Sequence, residues 1–189
     1  MPLDRRLIVI NGLPATGKTT IGRAISSYLH IPLFSKDDYK EAMFDRLYCK
    51  DREWSKQVGA AAIKIHFLVV ESCLRAGQSC IMENFMRRVT VDNFGERISE
   101  LCQRYGFAVT QVLVKAEGAT VYQRFAERAM SGNRHRGHCD LQCLAEHRPT
   151  LMQGRLEPLD LPGPLVEVDT TDFAKIDLSD IARLVQFLR

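Results

Sequence analysis

The sequence predicts an α/β protein: a three-layer α/β/α sandwich around a five-stranded parallel sheet. Three observations predict it. Five short apolar runs alternate with longer stretches of helical spacing. The runs are continuous rather than alternating in polarity, the pattern of strands buried on both faces. A phosphate-loop sequence, Gly12 to Thr19, joins the first run to the first helix. Right-handed crossovers between parallel strands then give a doubly wound sheet. In such sheets ligands lie beyond the carboxyl ends of the strands.

The elements follow in order. Residues 6–11 are rich in Ile, Val and Leu and form the first strand. Residues 18–29 place Ile21, Ala24, Ile25, Tyr28 and Leu29 on one helix face. A second strand covers 31–35 and a short helix 38–47. A long helix covers 53–76, with Trp54, Val58, Ala61, Ala62, Ile65, Leu68, Val69 and Cys73 in its apolar register and Gly77 as its stop. The third strand is 79–83, followed by a helix over 91–105 that Gly106 ends. The fourth strand is 107–114, followed by a charged helix over 120–130. A polar, basic loop over 131–139 precedes a short helix over 140–148 and a proline-containing connection over 149–164. The fifth strand is 165–169 and the closing helix 178–188.

Length and composition bound the function. A chain of 189 residues is one domain, 1–189, with a lid at about 131–148. Hydrophobic residues at 46% and charged residues at 26% exclude a disordered chain. A net charge of +3 is too small to announce nucleic-acid binding in bulk. No apolar run approaches the roughly 20 residues that span a bilayer, so no membrane is expected. No secretory leader pattern opens the chain, which makes a cytoplasmic location the expectation. The six cysteines then read as reduced thiols, with Cys73, Cys80 and Cys102 as small buried hydrophobes.

The chemistry begins at the phosphate loop. Gly12-Leu13-Pro14-Ala15-Thr16-Gly17-Lys18-Thr19 fits G-x-x-x-x-G-K-[ST] in full and sits between a strand and a helix start. Glycines let backbone amides approach a phosphate closely, and a helix N-terminus offers free N–H groups to it. Gly12, Ala15, Thr16, Gly17, Lys18, Thr19 and Thr20 are therefore the nucleotide-binding candidates. Lys18 reaches the β/γ-phosphates, and the Thr19 hydroxyl holds Mg²⁺. No guanine-reading N-K-x-D segment follows a strand, and the third strand ends in Glu83 rather than an Asp. These absences favour a small kinase-like protein, in which catalysis is mostly positioning and charge stabilisation.

A kinase acting on a hydroxyl needs a carboxylate near the attacking oxygen. Ser35-Lys36-Asp37-Asp38-Tyr39-Lys40 follows the second strand and supplies two. Asp37 is read as the base, and Asp38 as a helix cap. Glu83 is a candidate for a Mg²⁺-bound water or for the substrate. Asn84 and Arg87, just past the third strand, are candidate acceptor contacts.

With these residues in view, the sequence resembles the small bacterial P-loop kinase-like ATP-binding proteins, a group related to polynucleotide 5′-hydroxyl kinases, chloramphenicol phosphotransferase and zeta-toxin kinases. The resemblance rests on Gly-Leu-Pro-Ala-Thr-Gly-Lys-Thr-Thr at 12–20 and Ser-Lys-Asp-Asp-Tyr-Lys at 35–40. It is similar to the Arg-Asp-Asp-Tyr-Arg run of polynucleotide kinases. That similarity implies a base role for Asp37 and a substrate-phosphate role for Lys40, where Lys keeps the charge but loses the bidentate fork of Arg. Nucleoside-monophosphate kinases are similar over Arg124 to Arg128. This implies that Arg124 stacks on the adenine and Arg128 touches the transferred phosphate. Arg134 and Arg136 would come from a lid that neutralises developing charge.

Other features carry weaker expectations. His135, His138, Cys139, Cys143 and His147 crowd together, but their spacing fits no standard zinc pattern. Trp54 is expected to pack, or less simply to stack on a substrate ring. Residues 169–172 read as a turn near the nucleotide base. The combined expectation is an ATP- and Mg²⁺-dependent transfer to a small-molecule hydroxyl such as that of a nucleoside, sugar or antibiotic. A polynucleotide 5′-end is the second acceptor, and a non-catalytic ATP-binding regulatory or toxin–antitoxin module the rival class.

Overall fold

The computed structural model describes residues 5–47, 51–91 and 93–188. Cys49, counted above among the thiols, lies outside them. Among the described residues the strands are β1 (Arg6–Gly12), β2 (Leu33–Ser35), β3 (Cys80–Glu83), β4 (Ala108–Lys115) and β5 (Leu165–Asp169). The helices are α1 (Lys18–Leu29), α2 (Lys36–Arg46), α3 (Arg52–Arg75), α4 (Phe94–Tyr105), α5 (Gly118–Met130), α6 (Asp140–Leu151) and α7 (Leu178–Phe187). All strand pairings are parallel, in the order β2-β3-β1-β4-β5. The expected three-layer α/β/α sandwich is the observed fold.

The layers follow from β1, the central strand. Its side chains alternate between two cores. Leu7 and Val9 meet Phe67, Val70 and Leu74 of α3 and Phe94 and Ile98 of α4. Ile8 and Ile10 meet Ile21 and Ile25 of α1 and Ala182 and Val185 of α7. All four β1 side chains are fully buried, each worth about 1.5–3 kcal/mol of transfer free energy. A third cluster, with Leu13, Phe125, Leu151 and Leu156, seats α5 and α6 beside the phosphate loop. Phe44 and Val58 join α2 to α3.

Several elements differ from the sequence reading, each for a local reason. β2 starts at Leu33 because Pro32, which has no N–H, offers only its carbonyl to Ile81. α2 starts at Lys36, directly after β2, with Ser35 at its cap. Asp38 therefore does not cap the helix. It shares the first turn with Asp37, where the helix dipole favours negative charge. α6 continues through Pro149 to Leu151, anchored by burial of Leu151. β5 is an edge strand whose side chains alternate between buried and exposed rather than being buried on both faces. Its outward Glu167 pairs with Lys115 at 2.6 Å and Arg155 at 2.9 Å.

Three apolar residues assigned to the inner stripe of α3, Trp54, Ala61 and Leu68, face outward. Trp54 is 46% exposed and Leu68 is 62% exposed. α3 is, by length and composition, the one described helix apolar enough to cross a membrane, which run length alone did not anticipate. Its Phe67, Val70 and Leu74 are packed into the sheet core. The 131–139 segment is also more ordered in shape than the expected polar loop. It holds a 3₁₀ turn, Arg136–His138. The Ser55 hydroxyl donates to the Gly137 carbonyl at 2.6 Å. A Cβ at Gly137 would come within 2.8 Å of the Phe44 ring, so the turn docks only with glycine there.

Candidate active site

The carboxyl ends of β1, β2 and β3 deliver the site. At β1, Asn11 is fully buried and braces the strand end. Its carboxamide oxygen accepts from the Gly12 and Met86 amides at 2.9 Å each, and its amide nitrogen donates to Met86 O at 2.7 Å. A Cβ on Gly12 would lie 2.3 Å from Val114 O, so the loop leaves the sheet only with glycine. Gly17 has φ 90° and a Phe173 ring where its Cβ would be. It caps α1 without a side-chain hydrogen bond, which leaves the amides of the first turn free for an anion.

The loop is tied down from both sides. Thr16 Oγ1 donates to Leu13 O at 2.8 Å, and Lys18 Nζ donates to the same carbonyl at 2.9 Å. Thr170, fully buried past β5, donates through Oγ1 to Thr16 O at 2.7 Å, with Lys115 O also within reach of the same hydroxyl at 3.0 Å. The sequence reading saw only a turn there. Burial pulls the Lys18 ammonium below its ordinary value, while Glu83 and Asp37 pull it back up. Thr19 Oγ1 faces Glu83 Oε2 at 3.4 Å. Two oxygen donors meeting beside the loop suit a hard divalent cation.

Asp37 leaves β2 on the first turn of α2. Its Oδ1 is 2.6 Å from Lys36 Nζ, and its Oδ2 is 2.9 Å from Arg134 Nη2 and 4.0 Å from His138 Nε2. Burial alone would raise this carboxyl, but Lys36 first, and Arg134 with it, hold it well below the carboxylate range. Arg134 also reaches Glu41 at 3.4 Å and Asp140 at 3.4 Å. It is the point at which the segment after α5 meets α2. Arg128 pairs with Asp140 at 3.2 Å, and its Nε is buried with no hydrogen-bond partner. Arg124 donates to the Thr170 and Thr171 carbonyls at 2.9 and 3.1 Å.

These groups share one cavity of about 460 Å³. Every nucleotide, base and acceptor candidate from the sequence lines it except Gly12 and Thr16, which shape the loop from behind. Trp54 does not line it. Neither expectation for Trp54 describes its place, half-exposed on the first turn of α3. The sequence reading missed Lys36, Glu41 and Asp140. Glu41 was legible, since it stands one helical turn after Asp37 on α2. Asp140 carried no local signal.

The histidines have separate duties. His138 Nε2 lies 2.7 Å from Glu41 Oε1, and burial first, then Arg134 and Lys40, push the ring down to about 3. His135 sits 3.1 Å from Asp45 Oδ2, and His147 packs edge-on against Phe125. Among the described residues no group of three or more His, Cys, Asp or Glu is placed to hold a metal, and the five described cysteines are free. His66 was not singled out by sequence. It is fully buried, donates through Nε2 to Phe34 O at 3.0 Å, and leaves Nδ1 unpartnered. Burial lowers it to about 4. It holds the end of β2 three residues before Asp37.

The residues present fit a nucleotide with a divalent cation. Lys18 has no side-chain partner for its ammonium within its loop, only the Leu13 carbonyl. Arg128 Nε and Asn84 Nδ2 are buried donors without acceptors on the same cavity. Buried unpaired donors are costly, and phosphate oxygens would satisfy these two.

Comparison with known proteins agrees with this geometry. A family model described as "AAA domain" matches residues 7–146. No curated protein matches the chain. A solved structure described as a "putative kinase" from Chloroflexus aurantiacus J-10-fl is 39% identical, covers 98% of both chains and superposes with a TM-score of 0.86. A sugar kinase from Janibacter sp. HTCC2649 is 13% identical, with 96% of this chain and 92% of that one covered and a TM-score of 0.56. The APS kinase of Mycobacterium tuberculosis, solved with AMPPNP and APS, is 11% identical, with 96% of each chain covered and a TM-score of 0.57. The last two show a shared fold.

Proposed function

The chain belongs to the AAA-domain family and is a small P-loop kinase-like protein, and from that premise we propose that it is an ATP- and Mg²⁺-dependent phosphotransferase acting on a hydroxyl of a small molecule. One observation carries the reading. The phosphate loop, the Thr19–Glu83 oxygen pair and the Asp37 carboxylate open on the same cavity of about 460 Å³. That volume suits a nucleotide and a small acceptor.

Bound ATP and its cation supply the phosphoryl group and a strong local positive charge. The remaining work falls to the chain. The amides of the phosphate loop and Lys18 bind phosphate oxygens, with Lys18 exchanging its Leu13 carbonyl for them. Thr19 and Glu83 offer oxygens to the cation. Arg128 and Arg134 place positive charge where negative charge develops. Asp37 orients the acceptor hydroxyl and takes its hydrogen. A carboxylate has about four lone-pair sites. Lys36 and Arg134 use one on each oxygen, and the others remain for the hydroxyl. Because its cationic neighbours make Asp37 a weak base, it acts chiefly by positioning, which suits a loose phosphoryl-transfer transition state.

The test is transfer of label from γ-labelled ATP with Mg²⁺ to pools of nucleosides, sugars, aminoglycosides and 5′-hydroxyl oligonucleotides. Label on a small-molecule pool supports the reading. Label on the oligonucleotides alone makes the acceptor a polynucleotide end. Nucleotide binding with no transfer to any pool makes the chain an ATP-binding module without this chemistry.

A further inference from the structure

One apolar surface of the molecule is left open by the fold. α3 is apolar enough to cross a membrane, yet only 33% of its most apolar 18-residue stretch is buried. Its inner side enters the sheet core through Phe67, Val70 and Leu74. Its outer side carries Trp54, Ala61, Ile65, Leu68 and Ser72. Ile65 is half-buried and the other four are exposed. Their successive spacings of seven, four, three and four residues hold them on one stripe of the helix. Single exposed apolar residues are ordinary, but an aligned row marks a contact surface. None of the five lines the cavity of the candidate active site.

The stripe is complementary to itself when a second copy of α3 is turned end for end. Its two ends carry opposite charge. Glu53 stands beside Trp54 in the first turn, with an exposed ion pair to Lys56 at 3.5 Å. Arg75 ends the helix and makes an exposed hydrogen bond to the Ser72 hydroxyl at 3.3 Å. A two-fold axis between Lys64 and Ile65 sets Ala61 of each copy against Leu68 of the other, a small residue against a large one. The same axis brings Arg75 of each copy to Trp54 and Glu53 of the other. There the guanidinium can cover the indole and pair with the carboxylate. Lys64 lies on the flank of the stripe, where its ammonium stays in water. Each helix N-terminus also meets a C-terminus, ends of opposite partial charge. A closed two-fold interface requires one patch that fits itself, and this stripe meets that requirement in both size and charge.

We propose that this face of α3 is the interface of a symmetric dimer, in which two copies of the chain pack α3 against α3 in antiparallel. Trp54 is then a contact residue, which accounts for an indole that neither the core nor the cavity uses. The stripe lies outside the cavity, so each copy keeps its own site. The dimer does not depend on the phosphotransferase reading.

The experiment is sedimentation velocity of the whole chain from about 1 to about 100 µM, with tryptophan emission read on the same samples. Trp54 is the only tryptophan, so the emission reports this face alone. The expected mass rises with concentration from 21.5 kDa to twice that value, and the emission shifts to the blue as the indole leaves water. Leu68→Glu raises the dissociation constant by about 100-fold or more and leaves the far-ultraviolet circular dichroism unchanged, because Leu68 is exposed. Glu53→Arg raises it about 10-fold, and adding Arg75→Glu restores it. That reciprocal rescue requires the antiparallel arrangement. A wild-type chain that stays at 21.5 kDa at about 100 µM overturns the proposal. A dimer unaffected by Leu68→Glu uses another face and overturns it too, as does the absence of the charge rescue. A monomer whose emission shifts only on phosphatidylglycerol vesicles gives the face to a lipid surface and equally overturns the dimer.

Discussion

The two halves of the cavity are built from different forces. The phosphate-loop half is held by hydrogen bonds to backbone. Asn11 binds the amides and carbonyl at the end of β1, and Thr170 donates to the Thr16 carbonyl, both fully buried. The lid half is held by side-chain ion pairs. Arg134 alone gathers Asp37, Glu41 and Asp140. A backbone-held half keeps its shape irrespective of ionisation. A charge-held half depends on pH and salt and can be released by one substitution. In the proposed function, phosphate is thus bound by the rigid parts and the acceptor is enclosed by the adjustable ones.

The largest effect expected from breaking this contrast is at the shared centre. Lys18→Met removes the one ammonium held inside the phosphate loop. Transfer falls on the order of 1,000-fold, with nucleotide affinity falling too, measured by steady-state kinetics and titration. Arg134→Ala strikes only the charge-held half. Transfer falls roughly 100-fold, nucleotide affinity changes little, and the acid limb of the pH–rate profile moves upward because Asp37 loses a cation that keeps it ionised. A pH–rate profile without that shift would detach Arg134 from Asp37.

The pH dependence of stability follows next in size. His66 and His138 are neutral in the fold, lowered to about 4 and about 3. The unfolded chain binds a proton at each below about pH 6.5, and the folded chain does not. Their stabilisation is thus complete above pH 6.5 and is lost as pH falls toward 3–4. For His66 alone the loss is about 2 kcal/mol between about pH 8 and pH 5. Urea unfolding across that range should show it, and His66→Gln should flatten the curve. The smallest effect is Thr170→Val, which leaves Thr16 O without its donor. It costs about 1–3 kcal/mol of stability, and thermal unfolding of the variant measures it.

The same contrast explains what could be read in the sequence. The phosphate loop itself occupies contiguous residues, 12–19, because one loop must wrap one phosphate chain, although Thr170, which ties it down, stands 154 residues from Thr16. The spacing within the loop is therefore a signature. The five strands were equally legible, since burial on both faces demands unbroken apolar runs. β5 departed from that pattern because an edge strand is covered differently. The charge-held half joins residues far apart in sequence. Asp37 and Arg134 are 97 residues apart, and no spacing rule connects them. Asp37 and Arg134 were each nominated on local grounds, but their pairing, and the parts of Lys36, Glu41 and Asp140, emerge only from the fold. Trp54 shows the converse error. It fits the apolar period of α3, yet the first turn of that helix projects past the core it would have to enter.

The central claim is that Asp37, held by Lys36 and Arg134, positions the acceptor hydroxyl while leaving nucleotide binding to the phosphate loop. Asp37→Asn tests it most directly, with nucleotide affinity and phosphoryl transfer measured on the same preparation. The account predicts transfer lowered roughly 100- to 1,000-fold, with nucleotide affinity within about threefold of wild type. Transfer at the wild-type rate in Asp37→Asn would contradict it.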